Sequence, residues 1–147
     1  MTGLDICHIG FVTKDMEKTL RRWLRSGANL IIPATEDPVQ KVSCALIQCT
    51  GKLLFEIVSP ISLDAQHPLA GRLTRGGGLD HICYFADDLG ASIAQHVELG
   101  FRQISEPAYG CVFDRRIAFM SNPAGLVIEL MSRSPEGRIA DPLATSG

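Results

Sequence analysis

At 147 residues, 46% of them apolar, the chain is long enough for one core or two small ones and lacks the composition of a disordered polymer. A formal charge of −2 gives no positive field for a polyanion, which argues against nucleic acid and for small molecules as partners. Five cysteines without CxxC spacing argue against a disulfide framework or a cysteine-built zinc site, and with no leader-like start or run of 18 apolar residues the expectation is a cytoplasmic protein without membrane contact.

The first apolar run, Leu4 to Phe11, reads as a strand that puts Ile6, His8 and Gly10 on one face. Asp15 is placed to cap a helix through about Ser26, with Met16, Leu20, Trp23 and Leu24 at helical spacing and Gly27 suited to its end. The basic residues of this helix, among them Lys18, Arg21, Arg22 and Arg25, read as a solvated face. A second strand covers Asn29 to Ile32, and Pro33 to Pro38 reads as a turn. A third strand runs from about Val39 to Cys49, and Thr50-Gly51-Lys52 is a hairpin turn. The fourth strand, Leu53 to Val58, sets Glu56 among aliphatic neighbours, where a carboxylate is costly to bury unless a cation or donors meet it.

Residues 61–76 read as a linker, with a short helix over His67 to Leu73 and a flexible Arg75-Gly76-Gly77-Gly78 lead. The elements then recur: strand Leu79 to Phe85, helix Asp88 to Leu99, and strands Phe101 to Ser105, Arg115 to Met120 and Leu126 to Met131. Residues 133–147, rich from Pro135 onward in Pro, Gly, Ser and Ala, read as a tail. A shift of 73 (81 − 8) carries His8 onto His81, Asp15 onto Asp88, Gly27 onto Gly100 and Glu56 onto Glu129. Both His-to-Glu separations are 48 (56 − 8 and 129 − 81). The fold expected is α+β, two tandem βαβββ modules (about 4–60 and 77–132) forming a curved mixed sheet around a metal-lined cleft.

A lone strand histidine is usually a hydrogen-bonded core residue, but the repeat gives His8, Glu56, His81 and Glu129 a common explanation. Two buried carboxylates near each other need a cation, and two imidazoles with two carboxylates suit Mn, Fe, Co, Ni or Zn. Cys83, two residues after His81, reads as a small buried apolar residue.

The repeated pattern resembles the vicinal oxygen chelate superfamily of glyoxalases, extradiol dioxygenases, fosfomycin-resistance proteins and methylmalonyl-CoA epimerases, over Ile6 to Ser132. The stretches His67-Pro68-Leu69-Ala70, Phe55-Glu56-Ile57-Val58-Ser59-Pro60 and Arg75-Gly76-Gly77-Gly78-Leu79-Asp80-His81-Ile82 resemble the epimerase branch most. The resemblance implies a divalent metal held by His8, Glu56, His81 and Glu129, a small-molecule substrate with CoA thioesters among the candidates, and a homodimer. Its chemistry is enolisation beside a thioester or carbonyl, with Glu129 as ligand and base. Two departures stand out: Asp80 where those epimerases show His, and Val39-Gln40-Lys41 where their second base is a glutamate. Glu36 and Asp37, just upstream, are the candidates to replace it. The alternatives are a lactoylglutathione-lyase-like isomerase and a small-molecule binding or resistance protein of the same fold.

Overall fold

The structure, a computed structural model, describes residues 4–144. They fall into two compact units, one comprising His8–Asp80 and the other the described residues through Cys7 together with those from His81 onward. The fold class is α+β; the first module has the βαβββ order that the repeat implies, and the second has the same order with the strand after its helix split in two.

The first module contains β1 (Ile6–Val12), α1 (Met16–Arg25), β2 (Asn29–Asp37), β3 (Val42–Gln48) and β4 (Leu54–Pro60). Its strands lie in the order β2-β3-β4-β1, with β1 parallel to β4 and the other pairs antiparallel, so the sheet is mixed. Asp15 caps α1, its Oδ1 accepting from the Lys18 amide at 3.0 Å, which satisfies a backbone donor that the first helical turn leaves open. Trp23 of α1 lies 5.2 Å from Phe55 and 5.9 Å from Phe11, ring centroid to centroid, so the helix covers the face bearing Phe11, Phe55 and Ile57. The opposite face is left to His8 and Glu56.

The second module contains β5 (Gly78–Ala86), α3 (Leu89–Glu98), β6 (Arg102–Gln103), β7 (Ala108–Gly110), β8 (Arg115–Ser121) and β9 (Val127–Ser132). The order is β5-β9-β8-β6, with β7 also on β8 and β5 parallel to β9. Ile93 of α3 packs with Ala118, Met120, Ile128 and Leu130, flanked by Tyr84, Leu89 and Phe101. Again the helix takes one face of the sheet and leaves the histidine and glutamate on the other.

Shifted by 73, α1 falls on α3, β3 falls on β8, and β2 falls on the stretch that β6 and β7 divide between them. Even the turn conformations repeat: Lys41 and its counterpart Asp114 both have positive φ, at 58° and 55°. The short helix of the linker, α2, is Ala70–Thr74 rather than His67 to Leu73. His67 precedes it as a buried pin, its Nε2 2.9 Å from the Lys41 carbonyl and its Nδ1 accepting from the Leu69 amide at 3.1 Å.

Two expectations need correction. Strand β2 continues through Pro33 to Asp37, where a turn was expected. Proline is tolerated there because β2 is an edge strand of its sheet and the register shifts between Ile32 and Thr35. The turn lies after Asp37, whose Oδ1 accepts from the amides of Val39 and Gln40 at 3.0 and 3.1 Å. Second, residues 133–144, expected as a tail, have no regular secondary structure but are anchored to the second module. Buried Asp114 accepts from the Tyr109 hydroxyl at 2.7 Å and from the amides of Gly137 and Arg138 at 2.8 and 3.2 Å. The Arg115 guanidinium grips Asp141 through two bonds of 2.7 and 3.1 Å.

Candidate functional site

Alternation along a strand and the register between strands decide which polar side chains share a face. In the first module Gly10 of β1 lies beside Glu56 of β4, which puts His8 and Glu56 on the helix-free face. Both are buried, at 0% and 5% exposure, and His8 Nε2 stands 3.7 Å from Glu56 Oε1. That separation is too long for a hydrogen bond. It is within a few tenths of the roughly 3–3.5 Å between neighbouring donors on an ion with bonds of about 2.1 Å.

The second module repeats the arrangement with one substitution. Cys83 of β5 lies beside Glu129 of β9, so His81, Cys83 and Glu129 share the helix-free face. His81 and Glu129 are 3% and 4% exposed, and Phe119, the neighbour of Glu129 on β8, meets the His81 ring edge-on at 5.9 Å. An aromatic wall of this kind holds an imidazole in one rotamer without using either ring nitrogen. Burial pushes the Cys83 thiol well above its ordinary 9.0, and hydrogen bonding to Cys7 and the charge of Glu129 push the same way.

Each sequence-predicted ligand is therefore buried, mid-strand and on the face its helix leaves open. Within each unit an imidazole and a carboxylate share that face, donors that suit a borderline divalent cation. The candidate second bases are placed differently. Glu36 pairs with Ser43, which pairs with Ser59, so it is exposed on the face opposite Glu56. Asp37 shares the face of Glu56, but it stands two strands and four residues away, an in-sheet distance of roughly 15 Å. The register brings neither carboxylate to the His8–Glu56 pair.

Cys83 is fully buried, as the sequence reading expected of a small apolar residue. Sequence reasoning missed the Asp114 cluster, whose members are distant in sequence and meet only through folding.

A family model described as the glyoxalase/bleomycin resistance protein/dioxygenase superfamily matches residues 7–119, and the chain belongs to that superfamily. Among solved structures, methylmalonyl-CoA epimerase from Mycobacterium tuberculosis is similar, at 26% identity and TM-score 0.75 over 92% of this chain and 90% of that one. A Streptomyces coelicolor methylmalonyl-CoA epimerase variant in complex with 2-nitronate-propionyl-CoA is 24% identical, with TM-score 0.73 over 88% of this chain and 95% of that one. A hypothetical protein from Bacillus halodurans C-125 is 22% identical, with TM-score 0.77 over 94% of this chain and 100% of that one. No curated protein matches the chain significantly in sequence. Among the described residues no helix is long and apolar enough to cross a membrane.

Proposed function

We propose that the protein is a metal-dependent isomerase acting by enolisation of a small acyl thioester, in the manner of a methylmalonyl-CoA epimerase, with His8, Glu56, His81 and Glu129 holding one divalent ion. The observation that carries this reading is the duplicated, buried His and Glu on the open faces of parallel strand pairs β1–β4 and β5–β9. Membership of the superfamily and similarity to methylmalonyl-CoA epimerases support it. The ion would supply Lewis-acid polarisation of the substrate's carbonyl oxygen. His8 and His81, neutral at the site, would donate lone pairs while Phe119 keeps the second ring in place. Glu129 would take the proton from the carbon next to the carbonyl and return it, which exchanges that proton with solvent on one face.

Full inversion needs a proton carrier on the other face as well. Glu36 and Asp37 are the sequence candidates for it, and their placement in β2 speaks for a different carrier. One residue favours a second reading within the same chemistry. Glu56 stands where the epimerase branch often has Gln and glyoxalase I has Glu, which suits a lactoylglutathione-lyase-like isomerase.

The test is solvent exchange. Metal-loaded protein in deuterium oxide is incubated with (2R)- and (2S)-methylmalonyl-CoA and, separately, with the methylglyoxal–glutathione hemithioacetal, and the C–H signal is followed by NMR. The epimerase reading expects loss of the α-proton signal in the thioesters and its dependence on Glu129, with Glu129→Gln slowing exchange about 10²–10⁴-fold. Exchange in the hemithioacetal alone would transfer the assignment to the second reading. Exchange in neither would overturn enolisation.

A further inference from the structure

Between Lys14 and Arg25 the chain carries five cations and two carboxylates, in a protein whose formal charge is −2. Both carboxylates are already engaged: Asp15 caps α1, and Glu17 holds Arg21 at 2.7 Å. Lys14, Lys18, Arg22 and Arg25 are exposed and, among the described residues, form no ion pair. Lys18, Arg22 and Arg25 stand at i, i+4 and i+7 on one face of α1, and Lys14 lies just before the cap. Solvation alone accounts for a charged helix face. It does not account for the cavity at the start of this one.

Lys14 lines a cavity of about 230 Å³ whose other walls include Leu63, Asp64, Ala65, Ala70 and Leu73, from the linker and α2. These walls are held. His67 pins the linker to the Lys41 carbonyl, and Leu73 is buried. A Cβ on Gly77 would lie 2.5 Å from the Val12 carbonyl oxygen, so the chain leaving α2 runs against the end of β1, two residues before Lys14. The volume falls below the ~300–1,000 Å³ of a site that encloses a whole drug-sized ligand, so it suits one end of a longer molecule. His8 belongs to the same compact unit, and six residues of largely extended chain set it up to roughly 20 Å from Lys14.

We propose that this cavity and the cations beside it bind the nucleotide end of the thioester substrate, with its base among Leu63, Asp64 and α2 and its phosphates on Lys14 and Lys18. The inference rests on the acyl-thioester reading and specifies the carrier: a long thiol that ends in a phosphorylated aminopurine nucleotide, as coenzyme A does. The lining decides which end goes where. A carboxylate repels phosphate but accepts from a ring amino group; Asp64 Oδ1 already accepts from the Gln66 amide at 2.9 Å, and its second oxygen is an acceptor as well. Leu63, Ala65, Ala70 and Leu73 offer apolar surface to a flat ring, whereas phosphates belong at the rim, where Lys14 leads onto the basic face of α1. Binding at this remote end lowers KM for a substrate that carries the nucleotide.

Titration calorimetry of the purified protein with adenosine 3′,5′-bisphosphate tests the cavity without any reaction. Wild type is expected to bind it about 10-fold more tightly than pyrophosphate, which offers phosphates without a base to bury. Lys14→Met is expected to weaken binding about 5-fold, and raised salt to weaken it in wild type. Asp64→Ala is expected to reduce the preference for adenine over hypoxanthine, which has a carbonyl in place of the amino group. In the deuterium-exchange assay wild type is expected to have a KM about 10-fold lower for methylmalonyl-CoA than for the N-acetylcysteamine thioester of the same acid, and Lys14→Met to lose about 5-fold of that advantage. Equal KM for the two thioesters, or nucleotide affinity unmoved by both Lys14→Met and Asp64→Ala, would overturn this site and leave the isomerase reading standing. Lys14-dependent nucleotide binding with exchange in neither thioester would overturn the isomerase reading and leave the site standing.

Discussion

Removing the Asp141 carboxylate isolates the contact that holds the irregular C-terminal residues. The Arg115 side chain is 5% exposed and donates four hydrogen bonds, to the Phe113 and Arg133 carbonyls at 2.9 and 3.1 Å and to the two Asp141 oxygens at 2.7 and 3.1 Å. Breaking a fully buried pair from one side costs about 3–5 kcal/mol, because the surviving charge loses its partner in a medium that cannot solvate it. The Asp141 side chain is 27% exposed, so water replaces part of what is lost, and the two carbonyls remain bonded to the guanidinium. For Asp141→Ala the expectation is accordingly about 2–3 kcal/mol, and for Asp141→Asn, which keeps an acceptor oxygen, about half of that. Urea denaturation at pH 7 measures the global term, and amide exchange at residues 134–144 separates local release from global unfolding. The pH dependence has a definite sign. Arg115 holds the Asp141 carboxyl below its ordinary 3.8, so the contribution is complete above that value and disappears as the pH falls below it. An Asp141→Ala protein within about 0.5 kcal/mol of wild type, with unchanged exchange protection, would refute the account.

Asp114 offers a second acid-sensitive anchor: burial pushes its carboxyl up, but the Tyr109 hydroxyl and the amides of Gly137, Arg138 and Ile139 together bring it below 3.8. Tyr109→Phe deletes one of those donors while keeping the ring beneath Arg138, so carbon-detected NMR titration should find the Asp114 pKa raised, and an unmoved value would remove the hydroxyl from the account. Leu130→Ala cuts a side chain that is 1% exposed from the cluster under α3 and should cost about 3–4 kcal/mol in urea denaturation, whereas a loss under 1 kcal/mol would show that cluster to be loosely packed. Glu36→Gln and Asp37→Asn should both retain exchange of the substrate's α-proton, and Asp37→Asn should lower the melting temperature by weakening the β2–β3 turn; loss of epimerisation with one-face exchange intact in either variant would restore that residue as the second base.

Much of this molecule is legible without coordinates because the chain states its plan twice. Periodicity placed α1 and α3 and the strands that carry His8, Glu56, His81 and Glu129, since side-chain direction within one element follows from spacing alone. Asp15 and Asp88 announced their helices because a cap acts within one turn, on the amides of Lys18 and Ala91. What failed was decided by neighbours in space. Pro33 looked like a turn because proline spoils a ladder; it is tolerated in β2 because that strand is an edge with a shifted register, a property of the sheet and not of the segment. Residues 133–144 looked like a tail because their composition builds no element of its own, and they are held through Asp114 and Arg115, more than twenty residues before Gly137 and Asp141. The sequence by itself determined which residues are ligand candidates and which face of each strand they occupy. Only the strand register, which sets Gly10 beside Glu56 and Cys83 beside Glu129, decided what stands across the parallel pair from each carboxylate, because the register depends on long-range pairing that no local pattern encodes.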